Sequence, residues 1–433
     1  MTLSPAPDLR LQIDRIKRLS PARKIGYGSI VVVLFAACLL KWGADHDMYD
    51  LRVYVVAAQG LLDGQDIYSA HLQNPGMALG FTYPPFAALL FVPFALVGTG
   101  AARIAITALS VISLITIGMI SVRAANRSLG LRHSSRLGWS RHRLTLVGLA
   151  CAVAGLAYEP IRMTFHLGQI NLILLAMVML DVLGYTPRRF RGALLGIAIG
   201  IKLTPGLFLF YLLACKRYRE AVVAAVATVG TMVFGAIVMP LQTTDFFTGY
   251  MLDTSRPGVA YMVANQSIRG VLTRVLADAD LAGMLWPMAA VIACVLGIIA
   301  AKQVHQRGYP FEAFLLVLLT IGLVSPISWT GHFVFALPVT IALAAWIYRT
   351  QGPVRHVLTL VGVFWTVSLT LGLPWWAPHF NDLELTHRGY NLVLGNSYAL
   401  ASAAILTTAL LLTRPTPTRR PRPDTPTPSL IGR

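Results

Sequence analysis

Long apolar runs separated by short basic loops limit what this chain can fold into more than any other feature. The first run, Ile25 to Gly43, is long enough at about 1.5 Å per residue to cross a hydrocarbon core of roughly 30 Å. Inside a bilayer no water satisfies the backbone, so runs of this length must become helices. The chain has 433 residues, 56% hydrophobic and 12% charged, with mean hydropathy +0.65. Soluble domains carry about a quarter charged residues, so the composition is that of an all-α polytopic membrane protein. Ile25–Gly43 is too long for a signal peptide and no small-x-small site follows it, so it reads as a retained span.

The net charge of +18 would suit a nucleic-acid partner if the basic residues formed one surface. They lie instead in short loops and tails beside the apolar runs, as the positive-inside rule requires, without aromatic interleaving or a nucleic-acid motif. Cys38, Cys151, Cys215 and Cys294 all fall within apolar runs and read as small core residues.

Charge places the loops. Residues 1–24 carry Arg10, Arg15, Lys17, Arg18, Arg23 and Lys24 and are expected in the cytoplasm, as is the basic loop from Arg123 to Arg143. One span, Ala101 to Val122, then fits between an outer loop (44–100) and that inner loop. "YPPFAALLFVPFALVG", Tyr83 to Gly98, is expected as a short proline-broken helix at the outer leaflet. Leu144–Tyr158 leads out and Gln169–Leu183 returns. "GALLGIAIGIKLTPGLFLFYLLAC" is basic at both ends, which a hairpin of two half-helices broken at Lys202–Pro205 satisfies and a single crossing does not. Further spans are expected at Ala221–Pro240, Gly283–Ala301, Pro310–Ser325, Phe333–Tyr348, His356–Leu373 and Leu392–Thr413. The sum is about ten full spans plus the hairpin, about twelve helices, within a transmembrane domain over 25–413. The basic, Pro-rich tail 414–433 is expected to be disordered and cytoplasmic.

With this topology the chemically capable residues gather outside. The first outer loop holds five of the eighteen carboxylates, Asp45, Asp47, Asp50, Asp63 and Asp66, with Tyr54. "YEPIRMTFHLGQIN" adds Glu159, His166, Gln169 and Asn171; "ANQSIRG" adds Asn265, Gln266 and Arg269; "SPISWTGHF" adds Trp329 and His332; the hairpin tip adds Lys202. Carboxylates, amides and aromatic faces suit a carbohydrate, one or two cations suit a lipid phosphate, and a carboxylate can take a proton from an attacking hydroxyl. No metal site is expected, because His332, His379 and His387 lie on separate segments and H-E-x-x-H is absent. Plainer readings stand beside these. Asp50 and His332 could each cap a helix, and Lys202 could snorkel from a span end. Asp63 and Asp66 suit turns, Trp375 and Trp376 an interfacial belt, and Asp181 and Glu312 a structural role near inner span ends.

Several segments together resemble a known family. "DLRVYVVAAQGLLDGQDIY", "FTYPPFAALL", "HLGQINLILLAMVMLD", "GIAIGIKLTPGLFLFYLL", "NQSIRG" and "SPISWTGHF" occur in the order seen in the actinobacterial polyprenol-phosphate-mannose-dependent mannosyltransferases of glycosyltransferase family 87. The resemblance runs from about Asp50 to His332. It implies a GT-C fold in the plasma membrane and an active site on the outer side. It also implies inverting transfer of mannose from β-mannosyl phosphoryl polyprenol, giving an α-mannoside. The acceptor would be a phosphatidylinositol mannoside, lipomannan or lipoarabinomannan, with no cofactor and no nucleotide-binding domain. The family pattern places the base at Asp50. Lys202, Arg269 and His332 would then meet the donor phosphate. Tyr54, Tyr83, Glu159, His166, Gln169, Asn171, Asn265, Gln266 and Trp329 would line the substrate sites. Members of the family often carry a second His where this chain has Gly331, which speaks against a paired-His role here. A related branch transfers arabinofuranose, although "FTYPPF" and "NQSIRG" look more like the mannosyl branch. From another class, a lipid or solute transporter would share the hairpin and Lys202 but would not need a carboxylate at Asp50.

Overall fold

The computed structural model describes residues 46–68, 80–129, 141–254, 256 and 258–413, together with positions 20 and 41. The expected first span (apart from Lys41), Asp45, Cys38 and the C-terminal tail lie outside the described residues.

Among the described residues the regular structure is helical, and the one strand-like contact is an isolated bridge between Asn265 and Trp329. Helix α1 (Tyr49–Leu62) precedes α2 (Pro85–Leu96). The expected proline break in α2 does not occur: Pro84 and Pro85 take the N-cap and first helical positions, where no N–H partner is needed, and the helix continues through Pro93. At 12 residues it reaches about 18 Å, short of a full crossing. The chain then forms α3 (Thr99–Ser128), α4 (Arg141–Gly155), α5 (Glu159–Leu167) and α6 (Asn171–Val182). The expected span Leu144–Tyr158 is therefore shorter than its apolar run, because the chain bends by 74° between α4 and α5, where Pro160 opens the new helix.

The hairpin is present. Helix α7 (Ala193–Ile201) ends at Lys202, a single 3-10 turn spans Thr204–Gly206, and α8 (Leu207–Ala214) returns. Helix α9 (Tyr218–Val238) follows. Gly192 abuts Glu220 and Ala224, while Arg217 donates to the Val182 carbonyl at 2.7 Å, so the two mouths of the hairpin lie together. A Cβ on Gly196 would meet the Ala224 carbonyl at 2.3 Å, and one on Gly200 would meet Thr231 Oγ1 at 2.0 Å. Glycine lets α7 pack backbone to backbone against α9, as small residues do between membrane helices.

The remaining helices are α10 (Pro240–Asp245), α11 (Ile268–Leu276), α12 (Ala279–Gln306), α13 (Pro310–Val324), α14 (Ala336–Arg349), α15 (Pro353–Leu371), α16 (Tyr390–Gly395) and α17 (Ser397–Leu412). The expected last span, Leu392–Thr413, is broken at Asn396, whose Oδ1 accepts from Arg274 Nε and Nη2 at 3.0 and 2.7 Å. End contacts show that the long helices alternate in direction. Arg103, near the start of α3, reaches Asp47, and Trp286 of α12 donates to the Val324 carbonyl, both at the Asp50 end. Arg349 donates to the Ser128 carbonyl, and Arg307 donates to that of Thr413, at the opposite end. By length and composition α3, α9, α12 and α15 can each cross a membrane, and α4 with α5 forms one further bent pair.

Candidate active site

Two short motifs steer side chains to one end of the bundle. Gly168 ends α5 in the left-handed conformation (φ +67°), and a Cβ there would lie 2.8–2.9 Å from Leu51 and Met48 of the α1 segment. Only glycine accepts both the dihedral and the approach. The turn it makes sends Gln169 and Asn171 back toward Asp50. The break at Lys202, extended at φ −149°, likewise stops α7 with its amine at that end.

Gln169 and Lys202 line a cavity of about 340 Å³ with Asp50, Tyr54, Tyr83, Trp329 and His332, whereas Asn171 lies behind Lys202 and does not line it. Lys202 Nζ donates to Asn171 Oδ1 at 3.0 Å and meets His332 Nε2 at 3.2 Å. Because an ammonium has donors only, Nε2 is the acceptor, and the third N–H of Lys202 remains for the cavity. The ammonium stands 5.4 Å from the Tyr83 ring centroid, and the Tyr83 hydroxyl is 3.0 Å from that of Tyr54. Asn171 Nδ2 donates to the Gly331 carbonyl at 3.0 Å and to Gln169 Oε1, so the "HLGQIN" and "SPISWTGH" segments form one wall.

Asp50 lies in the first turn of α1, outside the spanning helices. Burial pushes its carboxyl up from 3.8 to about 6, against the opposing pull of a hydrogen bond to Gln169 and the charge of Lys202. At neutral pH it is mostly ionised yet basic enough to accept a proton, as a general base requires.

Other expected site residues do not line this cavity. The Glu159 carboxylate is saturated by Thr330 Oγ1 (3.0 Å), Trp375 Nε1 (2.9 Å) and the Tyr398 hydroxyl (2.8 Å), and it joins four segments of the fold. This also gives Trp375 a structural partner, whereas Trp376 is exposed. His166 stacks edge-on with His46. Asn265 Oδ1 accepts from the Ser328 and Ser267 amides, and Gln266 Oε1 accepts from the Tyr398 and Ala399 amides, capping α17. "NQSIRG" is thus a brace beneath the "SPISW" loop. Arg269 lies off the cavity, donating to the Thr254 carbonyl at 3.3 Å with its guanidinium 5.9 Å from the Trp286 ring. Asp47 pairs with Arg52 and Arg103, Asp66 caps the Tyr68 amide, and Asp181 accepts from the Gly192 and Leu195 amides.

Arg256 occupies the place expected of Arg269. It lines the cavity with Tyr250, its guanidinium lies 4.2 Å from the Tyr250 ring centroid, and Nη2 donates to the Tyr68 and Phe81 carbonyls at 3.2 and 3.4 Å. Its Nε is buried without a hydrogen-bond partner among the described residues. In sequence Arg256 is one basic residue in a long loop with no motif around it. The relevant signal was that it is the one basic residue between α9 and Arg269.

An all-helical membrane bundle with two carboxylates, Asp50 and Asp253, and two cations, Lys202 and Arg256, around one cavity has the features of a membrane glycosyltransferase. The profile of glycosyltransferase family 87 matches residues 81–326, more than half of the chain. A polyprenol-phosphate-mannose-dependent alpha-(1-2)-phosphatidylinositol mannoside mannosyltransferase of Mycobacterium tuberculosis is 33% identical over 323 residues, 72% of this chain and 74% of that protein. Its namesake in Mycolicibacterium smegmatis is 32% identical and covers 82% of each chain. A polyprenol-phosphate-mannose-dependent alpha-(1-2)-phosphatidylinositol pentamannoside mannosyltransferase of M. tuberculosis is 32% identical over 82% of this chain and 84% of that one. The crystal structure of ArnT from Cupriavidus metallidurans, bound to undecaprenyl phosphate, aligns with TM-score 0.40 and 15% identity over 88% of this chain and 76% of that one. The chain belongs to glycosyltransferase family 87 and is a glycosyltransferase.

Proposed function

We propose that the enzyme transfers mannose from polyprenyl-phosphate-mannose to a mannosylated phosphatidylinositol lipid, inverting the anomeric centre and forming an α-(1→2)-mannoside. The relatives' names support this donor and acceptor class. The observation that carries the mechanism is the meeting of Asp50, Gln169, Lys202 and His332 around one cavity. The acceptor hydroxyl oxygen attacks the anomeric carbon while the bond from that carbon to the phosphate oxygen breaks, its electron pair leaving with polyprenyl phosphate. The hydroxyl proton passes to Asp50. Lys202 and Arg256 stabilise the phosphate as charge develops on it, and His332 holds Lys202 in place. Tyr83 and Trp329 present faces to sugar, Tyr54 supports Tyr83 from its place against Phe91, and the apolar α2 guides the lipid chains.

The site faces the outer side of the plasma membrane in this reading. Residues 1–24 and 414–433 are cytoplasmic, 25–413 form a GT-C domain of about ten crossings plus the hairpin, and 44–100 form the catalytic outer loop. The test offers the enzyme polyprenyl-phosphate mannose and polyprenyl-phosphate arabinofuranose in turn, with phosphatidylinositol mannosides or lipomannan as acceptor. Linkage analysis of the product follows. A mannoside at the 2-position on a phosphatidylinositol mannoside is the expected product. Arabinose incorporation would replace the donor, and product on lipomannan alone would replace the acceptor.

A further inference from the structure

At the opposite end of the bundle from Asp50, a second cavity of about 320 Å³ opens between the last turn of α3, the turn after α6 and the start of α13. Helix α6 alone separates the two ends by about 18 Å, so no single phosphate reaches both. Among the described residues the one charged group lining the second cavity is a cation. Arg127 lines it and lies 5.9 Å from the Tyr185 ring centroid. The Tyr185 hydroxyl is buried without a hydrogen-bond partner among the described residues, a state that costs about 1–3 kcal/mol unless a further group supplies one. Arg349 bridges the Ser128 carbonyl and the Tyr309 hydroxyl, with its guanidinium 4.8 Å from the Tyr309 ring. Neither arginine pairs with a carboxylate among the described residues. Pro310 and Phe311, at the start of the 15-residue α13, complete the lining, and Glu312 in the same first turn already faces that helix's dipole.

Two of the nearby acids are committed to other groups. Asp181 is committed to Thr186 and the Gly192 and Leu195 amides, and Glu220 to Arg217. Glu312, in the first turn of α13, lines a different, apolar cavity between α13, α14 and α17.

We propose that this cavity binds a phosphate group. Arg127 and the Tyr185 hydroxyl donate to its oxygens, with Arg349 behind them. The phosphodiester of an anionic lipid at headgroup depth and free phosphate share this chemistry. The glycosyl-transfer site plays no part in it. The test uses the full-length protein in detergent, stripped of lipid, with thermal unfolding and native mass spectrometry read against added phosphatidylglycerol, phosphatidylcholine or inorganic phosphate. Native protein should retain phosphatidylglycerol over phosphatidylcholine. Arg127→Gln should weaken that retention about tenfold, the scale of one charge-assisted bond. Tyr185→Phe should also reduce it while leaving the ligand-free protein at least as stable as native, since it removes only an unpartnered hydroxyl. Stabilisation by inorganic phosphate that both variants abolish would support the site and make free phosphate its ligand. Equal retention of both lipids, unchanged in either variant, without an effect of inorganic phosphate, would overturn the proposal.

Discussion

The carboxyl of Asp50 should set the acid limb of the enzyme's pH profile. With its carboxyl at about 6, Asp50 is about nine-tenths ionised near pH 7 and about one-tenth ionised near pH 5. An aspartate at the ordinary value of about 3.9 would stay more than nine-tenths ionised over the same interval. If Asp50 takes the acceptor's proton, kcat/KM measured at low acceptor should fall about tenfold between about pH 7 and pH 5. Gln169→Ala removes the hydrogen bond that opposes the shift, so the limb should move to higher pH. The assay is transfer of labelled sugar in proteoliposomes, with Tm followed over the same range to exclude unfolding. A profile flat down to about pH 5, or a limb that Gln169→Ala leaves in place, would refute the assignment of Asp50 as base.

Asp50→Asn should not destabilise the fold at neutral pH. The carboxyl is raised in the folded state, so its ionisation there works against folding. That effect disappears as pH falls below the unfolded value, and a Tm loss near pH 7 would contradict this reading. Lys202→Met should raise the donor KM or lower kcat by about ten- to a hundredfold, the scale of one or two charge-assisted bonds, as read by donor titration. Arg256→Gln should weaken donor use while Arg269→Gln leaves donor KM near native, and the reverse order would return the phosphate contact to Arg269. Gly168→Ala should lower Tm, because the new Cβ meets Leu51 and Met48 inside 3 Å in a backbone conformation that already costs an L-residue about 1–2 kcal/mol.

Features carried by local pattern were legible in the sequence. The helical class follows from apolar runs, and the hairpin from two basic flanks that one crossing cannot reconcile; the backbone then turns at Lys202. The grouping of Asp50, Gln169, Lys202, Trp329 and His332 was likewise legible, because each sits where a span ends on the same side. What the sequence concealed depends on long-range partners. Asn265 and Gln266 are polar loop residues by pattern, yet their amides are consumed by backbone groups of the Ser328 and Tyr398 segments. Glu159 looks like a free carboxylate until Thr330, Trp375 and Tyr398, all more than 170 residues away in sequence, close on it. The break at Asn396 depends on Arg274, a buried cation whose partners are an amide and three carbonyls. Arg256 and Arg269 are indistinguishable by composition. Only the path of the chain between them decides which one faces the cavity.

The measurement that bears most directly on the central claim is transfer from radiolabelled polyprenyl-phosphate mannose to phosphatidylinositol mannosides, comparing native enzyme with Asp50→Asn. Both should fold alike, and label should enter the lipid product with native enzyme. The variant's rate should fall by about a hundredfold or more, the range expected for loss of a general base. Equal rates would place the base on another residue. Absence of label with both, while the protein moves lipid between leaflets, would contradict the account.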